Sequence, residues 1–227
     1  MILNKNQKTV IECVVNVFET GSPQGNYAAI AIFKDGPQNI RQITYGRSQT
    51  TEYGNLRELV QAYANAGGTF SSALKPYVEK VGRIALTDDA NFKQLLKQAG
   101  SQDPVMKRVQ DDFFEARYFR PAMQWADQQG FRLPLSMMVI YDSFIHSGSI
   151  RQDIRSMFPE RPPSQGGDEK AWLTAYVNAR QKYLANHKRP EVRPTVYRTQ
   201  CFKTQIQLDN WNLDQLPINA HGTDVSA

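Results

Sequence analysis

Two carboxylates and a hydroxyl stand within one short stretch of the chain: Glu19, Asp35 and Thr44 in FETGSPQGNYAAIAIFKDGPQNIRQITYGR, residues 18–47. Read as acid, base and water-holder, they are what cleavage of a glycosidic bond by direct attack of water requires. That reaction needs a protonated carboxyl beside the leaving oxygen and an ionised carboxylate roughly 6.5–9.5 Å away across the sugar. Spacing alone does not select this reading, because a helix that ends in a charged residue before an ordinary hairpin accounts for the same letters. Other chemistries find fewer residues. His146, His187 and His221 are far apart and in no H-E-x-x-H or C-x-x-C arrangement, so no metal is predicted. No nucleophile elbow, P-loop or dinucleotide fingerprint occurs, and no cofactor is expected.

A second group involves charge in an apolar setting. Leu133 to Ile145 reads LPLSMMVIYDSFI, too short to span a membrane and therefore a buried helix. Asp142 lies inside it, and a buried carboxylate needs a partner. Arg180 and Arg198 are the candidates, since bidentate arginine pairing keeps a buried acid ionised. His146 follows Asp142 by one turn.

The elements that would position these groups are mostly helical. Val10, Ile11, Val14, Val15 and Phe18 form one apolar stripe between Lys5 and Glu19. Gly21, Ser22, Pro23 and Gly25 stop that helix, which puts Glu19 in its last turn. The carbonyl-end dipole there disfavours a negative charge, so the Glu19 carboxyl is expected to titrate high, as suits a general acid. Tyr27 to Phe33 and Ile40 to Tyr45 read as strands around the turn Asp35-Gly36-Pro37. A polar loop from Gly46 to Thr51 follows, then a helix from Asn55 to Ala64. Further helices are predicted at about 70–82, 89–99 and 103–129, the last divided at Pro121. Helices are also predicted over Leu133–Ile145, Ser149–Phe158 and Glu169 to about His187, the last capped by Asp168. The fold class is mainly α with one small antiparallel hairpin or sheet near the N-terminus.

A chain of 227 residues can form one large domain or two lobes without staples. Cys13 and Cys201 are the only cysteines, which we read as thiols in a reducing compartment. No run approaches a membrane span, and MILNKNQKTV at the start lacks the features of a signal peptide. The net charge of +5 favours anionic partners, but the basic residues do not cluster, so neither nucleic acid nor a membrane is expected.

Three segments resemble a known family. Pro163-Ser164-Gln165-Gly166-Gly167-Asp168-Glu169, followed by Ala179-Arg180, is similar to the P-x-Q-G-G-D-E…A-R segment of the chitosanases of glycoside hydrolase family 46. Glu58-Leu59-Val60-Gln61-Ala62-Tyr63 resembles their helix after the catalytic hairpin, and Tyr141-Asp142 with His146 resembles their buried helix. The resemblance implies a single bilobal lysozyme-like domain over 1–227, two mainly helical lobes flanking a cleft. It also implies hydrolysis of a β-1,4 bond with inversion, with Glu19 as general acid, Asp35 as general base and Thr44 orienting the water. Asp142, Arg180 and Arg198 would match the family's internal charge network, with His146 and Arg47 supporting the site or the substrate.

Two departures alter these expectations. The segment between Asp35 and Thr44 is longer than in those chitosanases, which makes Glu52 a reserve base if Asp35 sits out at a hairpin tip. Asn55 stands where they carry an aspartate that holds a substrate amine. Chitosan is a polycation, which a chain of net charge +5 repels at long range, so we favour peptidoglycan as substrate, with chitosan as the alternative. A non-catalytic carbohydrate-binding relative is the rival from another class. The stretch Ile32-Phe33-Lys34-Asp35…Ile43-Thr44-Tyr45-Gly46 also resembles the catalytic hairpin of phage lysozymes. A wall-lytic enzyme would act outside the producing cytoplasm, as a monomer, and would be matched by an immunity protein if it is a toxin.

Overall fold

The computed structural model describes residues 1–47 and 49–226, so Ser48 of the predicted polar loop lies outside them. Two compact units emerge, one from Met1–Phe18 with Ala116 onward and one from Glu19–Glu115.

The first unit is built around helices. The predicted N-terminal stripe is α1, Lys5–Thr20, with Val10, Ile11, Val14, Val15 and Phe18 all buried. The apolar run is α7, Pro134–Ser147, in which the ten residues from Pro134 to Ser143 are buried on every side, as a helix apolar all round must be. Between them come α6 (Arg120–Gln128) and, after α7, α8 (Gln152–Arg155), α9 (Glu169–Ala185) and α10 (Val196–Gln207). The aromatic face of α9 enters the core at Trp172 and Tyr176, which stack at 5.2 Å. A second, two-stranded antiparallel sheet, β4 (Ile218–Ala220) with β5 (Thr223–Val225), closes the unit and buries Ile218, Ala220 and Val225. The sequence reading of a single N-terminal sheet misses this one. Its strands are three residues each, shorter than any periodicity signal.

The Gly-Gly-Asp-Glu segment acts as a clamp in this unit. A Cβ on Gly167 would lie 1.7 Å from the Arg161 carbonyl oxygen, so no larger residue fits. Asp168 caps α9 as predicted, its Oδ1 accepting the Ala171 N–H at 2.8 Å. Glu169 accepts the N–H of Leu133 at 2.8 Å, the N–H of Arg132 at 2.9 Å and the Ser136 hydroxyl at 2.6 Å. It thereby answers donors at the start of α7 that helix geometry leaves open, and the start of one helix is tied to the start of the other.

The second unit carries a three-stranded antiparallel sheet of order β1-β2-β3: Ile30–Phe33, Gln42–Tyr45 and Thr50–Thr51. Ile30 faces Tyr45, Ala31 faces Thr44, and Phe33 faces Gln42. Alternation puts Ile43 and Tyr45 on the inner face, where both are fully buried, and Gln42 and Thr44 on the other. The inner face packs with α2 (Leu56–Ala66), α3 (Ser71–Leu74), α4 (Ala90–Gln102) and α5 (Pro104–Phe114) through Leu59, Tyr63, Leu74, Leu96 and Met106. The predicted helix over 103–129 is interrupted before Pro121 rather than at it. A π-helical turn at Glu115–Phe119 separates α5 from α6, and Pro121 sits in the first turn of α6, where its missing N–H costs nothing.

Candidate active site

Glu19 is half-buried in the last turn of α1, and Gly21, at φ 74°, ends the helix in the left-handed conformation glycine favours. The carbonyl just before it, Phe18 O, is not left open. It accepts the Tyr197 hydroxyl at 2.9 Å and an Arg198 guanidinium N–H at 3.2 Å. Arg198 reaches on to Asp142 Oδ1 at 2.6 Å, and Arg180 holds the other carboxylate oxygen at 2.6 Å. The three predicted members of the charge network therefore meet, with Asp142 and Arg180 fully buried. Burial pushes the Asp142 carboxyl up, but Arg180, Arg198 and then His146 oppose it, and the net result lies below the ordinary aspartate range. His146 is pushed down to about 3 by burial first, then by the repulsion of Arg198 and Arg180. It is neutral at pH 7, so the network carries two cations and one anion.

Asp35 lies two residues beyond the end of β1, next to the turn. The extra length before Thr44 is taken up by a 3₁₀ turn at Pro37–Asn39, with Gln38 and Asn39 at φ 56° and 60°. The carboxylate is then drawn back over the sheet, where Oδ1 accepts a 2.9 Å hydrogen bond from Gln42 Nε2. Gln42 and Thr44 are two positions apart on the same face of β2, roughly 7 Å between Cα atoms. The Thr44 hydroxyl donates to Gln49 Oε1 at 2.8 Å and lies 3.3 Å from the Ala31 carbonyl oxygen. Its proton is engaged within the sheet, so what it can offer a water is a lone pair.

Glu52, the expected reserve base, occupies a different place. It is fully buried, Oε2 accepting the Ile43 N–H at 3.0 Å and Oε1 the Leu86 N–H at 2.7 Å. Both oxygens serve to join β2 to the chain before α4, and none faces a substrate. Arg47 is also buried. It is ion-paired with Asp111, its N–H meets Gln110 Oε1 at 3.1 Å, and its guanidinium lies 5.7 Å from the Phe114 ring centre. That makes it a brace for the strand end rather than a substrate contact. Asn55 sits just before α2, half-buried, its carbonyl accepting the Leu59 N–H at 3.2 Å. Among the described residues, no three or more His, Cys, Asp or Glu side chains converge as metal ligands would. Gln42 and Gln49 are the side chains at this site that the sequence reading passed over. The i, i+2 spacing of Gln42 and Thr44 on one strand was the available signal.

Comparison with known proteins identifies the family and the fold. The family model described as Glycosyl hydrolase family 46 matches residues 13–218. A chitosanase of Bacillus subtilis (strain 168) is 29% identical over 241 residues, covering 98% of this chain and 84% of the relative. Among solved structures, a Gynuella sunshinyii GH46 chitosanase in complex with chitotetraose superposes with a TM-score of 0.82 at 22% identity, covering 99% of this chain and 98% of that one. A mutant chitosanase from Bacillus subtilis MY002 complexed with 6 GlcN superposes with a TM-score of 0.83 at 24% identity, covering 99% of each chain. These likenesses bear out the mainly helical, lysozyme-like fold expected from the sequence, and with the family match they establish the chemistry as that of a glycoside hydrolase. The chain belongs to glycosyl hydrolase family 46.

Proposed function

We propose that this protein hydrolyses the β-1,4 linkages of chitosan with inversion. The substrate is inferred from the relatives, whose names and bound sugars are those of chitosanases. The mechanism rests on one observation above the others: Gln42 draws the Asp35 carboxylate back onto the sheet face that carries Thr44. In this reading, the Glu19 carboxyl gives its proton to the glycosidic oxygen as the bond from C1 to that oxygen breaks. A water held on the Thr44 lone pair bonds C1 from the opposite side and passes its proton to Asp35. Asp35 then loses that proton to solvent and Glu19 regains one, which closes the cycle.

The preference for peptidoglycan drawn from net charge finds no support among the relatives, and the reason is physical. A charge of +5 spread over the surface acts at long range, where salt screens it within about 8–10 Å, whereas a sugar in the site meets only local groups. Chitosan lies outside the producing cytoplasm, and the enzyme would act there.

Glu19→Gln tests the acid. Release of reducing ends from chitosan should fall at least about a hundredfold, with the unfolding midpoint unchanged. Retained activity would remove Glu19 from the mechanism. The same assay on purified peptidoglycan tests the substrate, and faster turnover of peptidoglycan would overturn chitosan.

A further inference from the structure

We infer that Gln42 is a positioning residue for the general base: its amide fixes the Asp35 carboxylate and leaves one oxygen, Oδ2, to take the proton of water. The inference rests on the reading of Asp35 as base.

The orientation of the amide is determined by its other end. Gln42 Oε1 accepts the Tyr53 backbone N–H at 3.2 Å, and a backbone N–H can be answered only by an acceptor. The oxygen is therefore committed to Tyr53, and the NH₂ group necessarily faces Asp35, whose Oδ1 it meets at 2.9 Å. Gln42 is buried, so the amide has little room to turn away. Asp35, by contrast, stands among exposed neighbours, Phe33, Lys34 and Pro37. Among the described residues its side chain has one hydrogen-bond partner, Gln42.

The arrangement answers a problem set by the turn itself. Asp35 is followed by a long turn, and a carboxylate there would otherwise sample several rotamers. Gln42 pairs across the ladder with Phe33, two residues before Asp35, so the aspartate must curl back to meet it. Once it does, one lone pair of Oδ1 is taken by the amide proton, which leaves Oδ2 as the less encumbered oxygen and the better placed base. The bond ties the carboxylate to Gln42, which shares its face of β2 with Thr44. A misplacement of about 1 Å in such a group can cost roughly a hundredfold in rate, so the anchoring is a rate-determining feature of the site rather than a decoration of the hairpin.

Two substitutions separate this role from a structural one. Gln42→Glu keeps an oxygen for the Tyr53 N–H but offers no donor to Asp35 at neutral pH, and sets a second negative charge against it. Gln42→Met fills similar space and removes both bonds. If Gln42 positions Asp35, both variants should lose kcat on chitosan, by roughly tenfold to a hundredfold, with KM within about twofold. In Gln42→Glu, kcat should recover toward acid pH, where the introduced carboxyl gains a proton and can donate again, a recovery Gln42→Met lacks. If only Gln42→Met is impaired, the role is support of Tyr53, and the inference fails. It fails equally if Gln42→Glu keeps the parent kcat and pH profile. Asp35→Asn is the control on the underlying reading. Full activity in that variant would show that Asp35 is not the base, whereas an inactive Asp35→Asn beside an active Gln42→Glu would sink the positioning role alone.

Discussion

Asp142 and Asp35 are both fixed by neighbours, but in opposite ways. Asp142 is sealed from water between two guanidiniums, each 2.6 Å from one of its oxygens, while Asp35 is half-buried and rests on a single neutral amide at 2.9 Å. A carboxylate bound by two buried cations is held ionised by a large local field, and near neutral pH it takes up no proton. One held by an amide keeps a free oxygen and access to water, which a base must have. The first environment supports the carbonyl end of α1, through Arg198 and Phe18 O, and so the turn that carries Glu19. The second can take part in the chemistry. The buried Asp142 is thus a supporting group, whereas Asp35, the candidate base, rests on one neutral amide.

The comparison breaks most readily at Asp142. Asp142→Asn would leave two buried guanidiniums facing each other across a neutral amide, and removing one partner from a buried ionic cluster costs about 3–5 kcal/mol. A urea unfolding midpoint lowered by an equivalent amount, with loss of activity following loss of fold, is the expected outcome. An Asp142→Asn variant as stable as the parent would show that the network is not what holds the end of α1.

A second effect, smaller, comes from His146. Its folded-state pKa of about 3 lies below the ordinary value of about 6.5 in an unfolded chain. Between those values the unfolded chain binds a proton that the native state refuses, so stability falls as pH drops through that window, by at most about 1.4 kcal/mol per pH unit. Asp142 has the opposite kind of group and a lower window. Its depressed pKa gives stability that is present above about 3.9 and is lost as pH falls through the folded-state value. His146→Gln should therefore flatten the loss of stability between pH 6.5 and about 4 and leave the steeper fall below it. Urea midpoints at pH 7, 5.5 and 4.5 read this directly, and parallel declines in parent and variant would remove His146 as the cause.

How much of this was legible in the sequence follows from what each residue depends on. The α1 stripe, the buried α7 run and the Asp168 cap depend on residues within one or two turns of chain, and each emerges where the spacing put it. The Asp142–Arg180–Arg198 cluster was also foreseeable, because a charge inside an apolar helix must be paired and arginines are the usual partners. Glu52 shows the limit of such reasoning. It lies close in sequence to the hairpin, which made it a natural reserve, yet its two oxygens serve the backbone N–H groups of Ile43 and Leu86, and no spacing rule reveals a partner 34 residues away. The Asp35–Gln42 bond is hidden for a different reason. It exists because Gln38 and Asn39 turn left-handed and let the strand return in register, a conformation that Pro-Gln-Asn does not announce. The most specific family signature, Gly166-Gly167-Asp168-Glu169, identified the fold correctly while doing none of the chemistry, since its glycine, cap and carboxylate join α9 to α7.

The smallest effect sharpens the contrast by adding a charge on the lightly charged side. Asn55 gives the start of α2 a neutral amide where the family's chitosanases, by the resemblance of this segment, carry an aspartate against a substrate amine. Asn55→Asp restores that charge. It stands at a half-buried position beside water, so a new ion pair with a glucosamine ammonium is worth at most about 1 kcal/mol, or roughly a fivefold gain in kcat/KM on chitosan. The gain should appear in KM, because the contact is to a sugar ring rather than to the breaking bond, and it should shrink at high salt. An unchanged KM on chitosan would mean that Asn55 does not face the substrate amine, and that recognition of the polymer lies with other residues of the site.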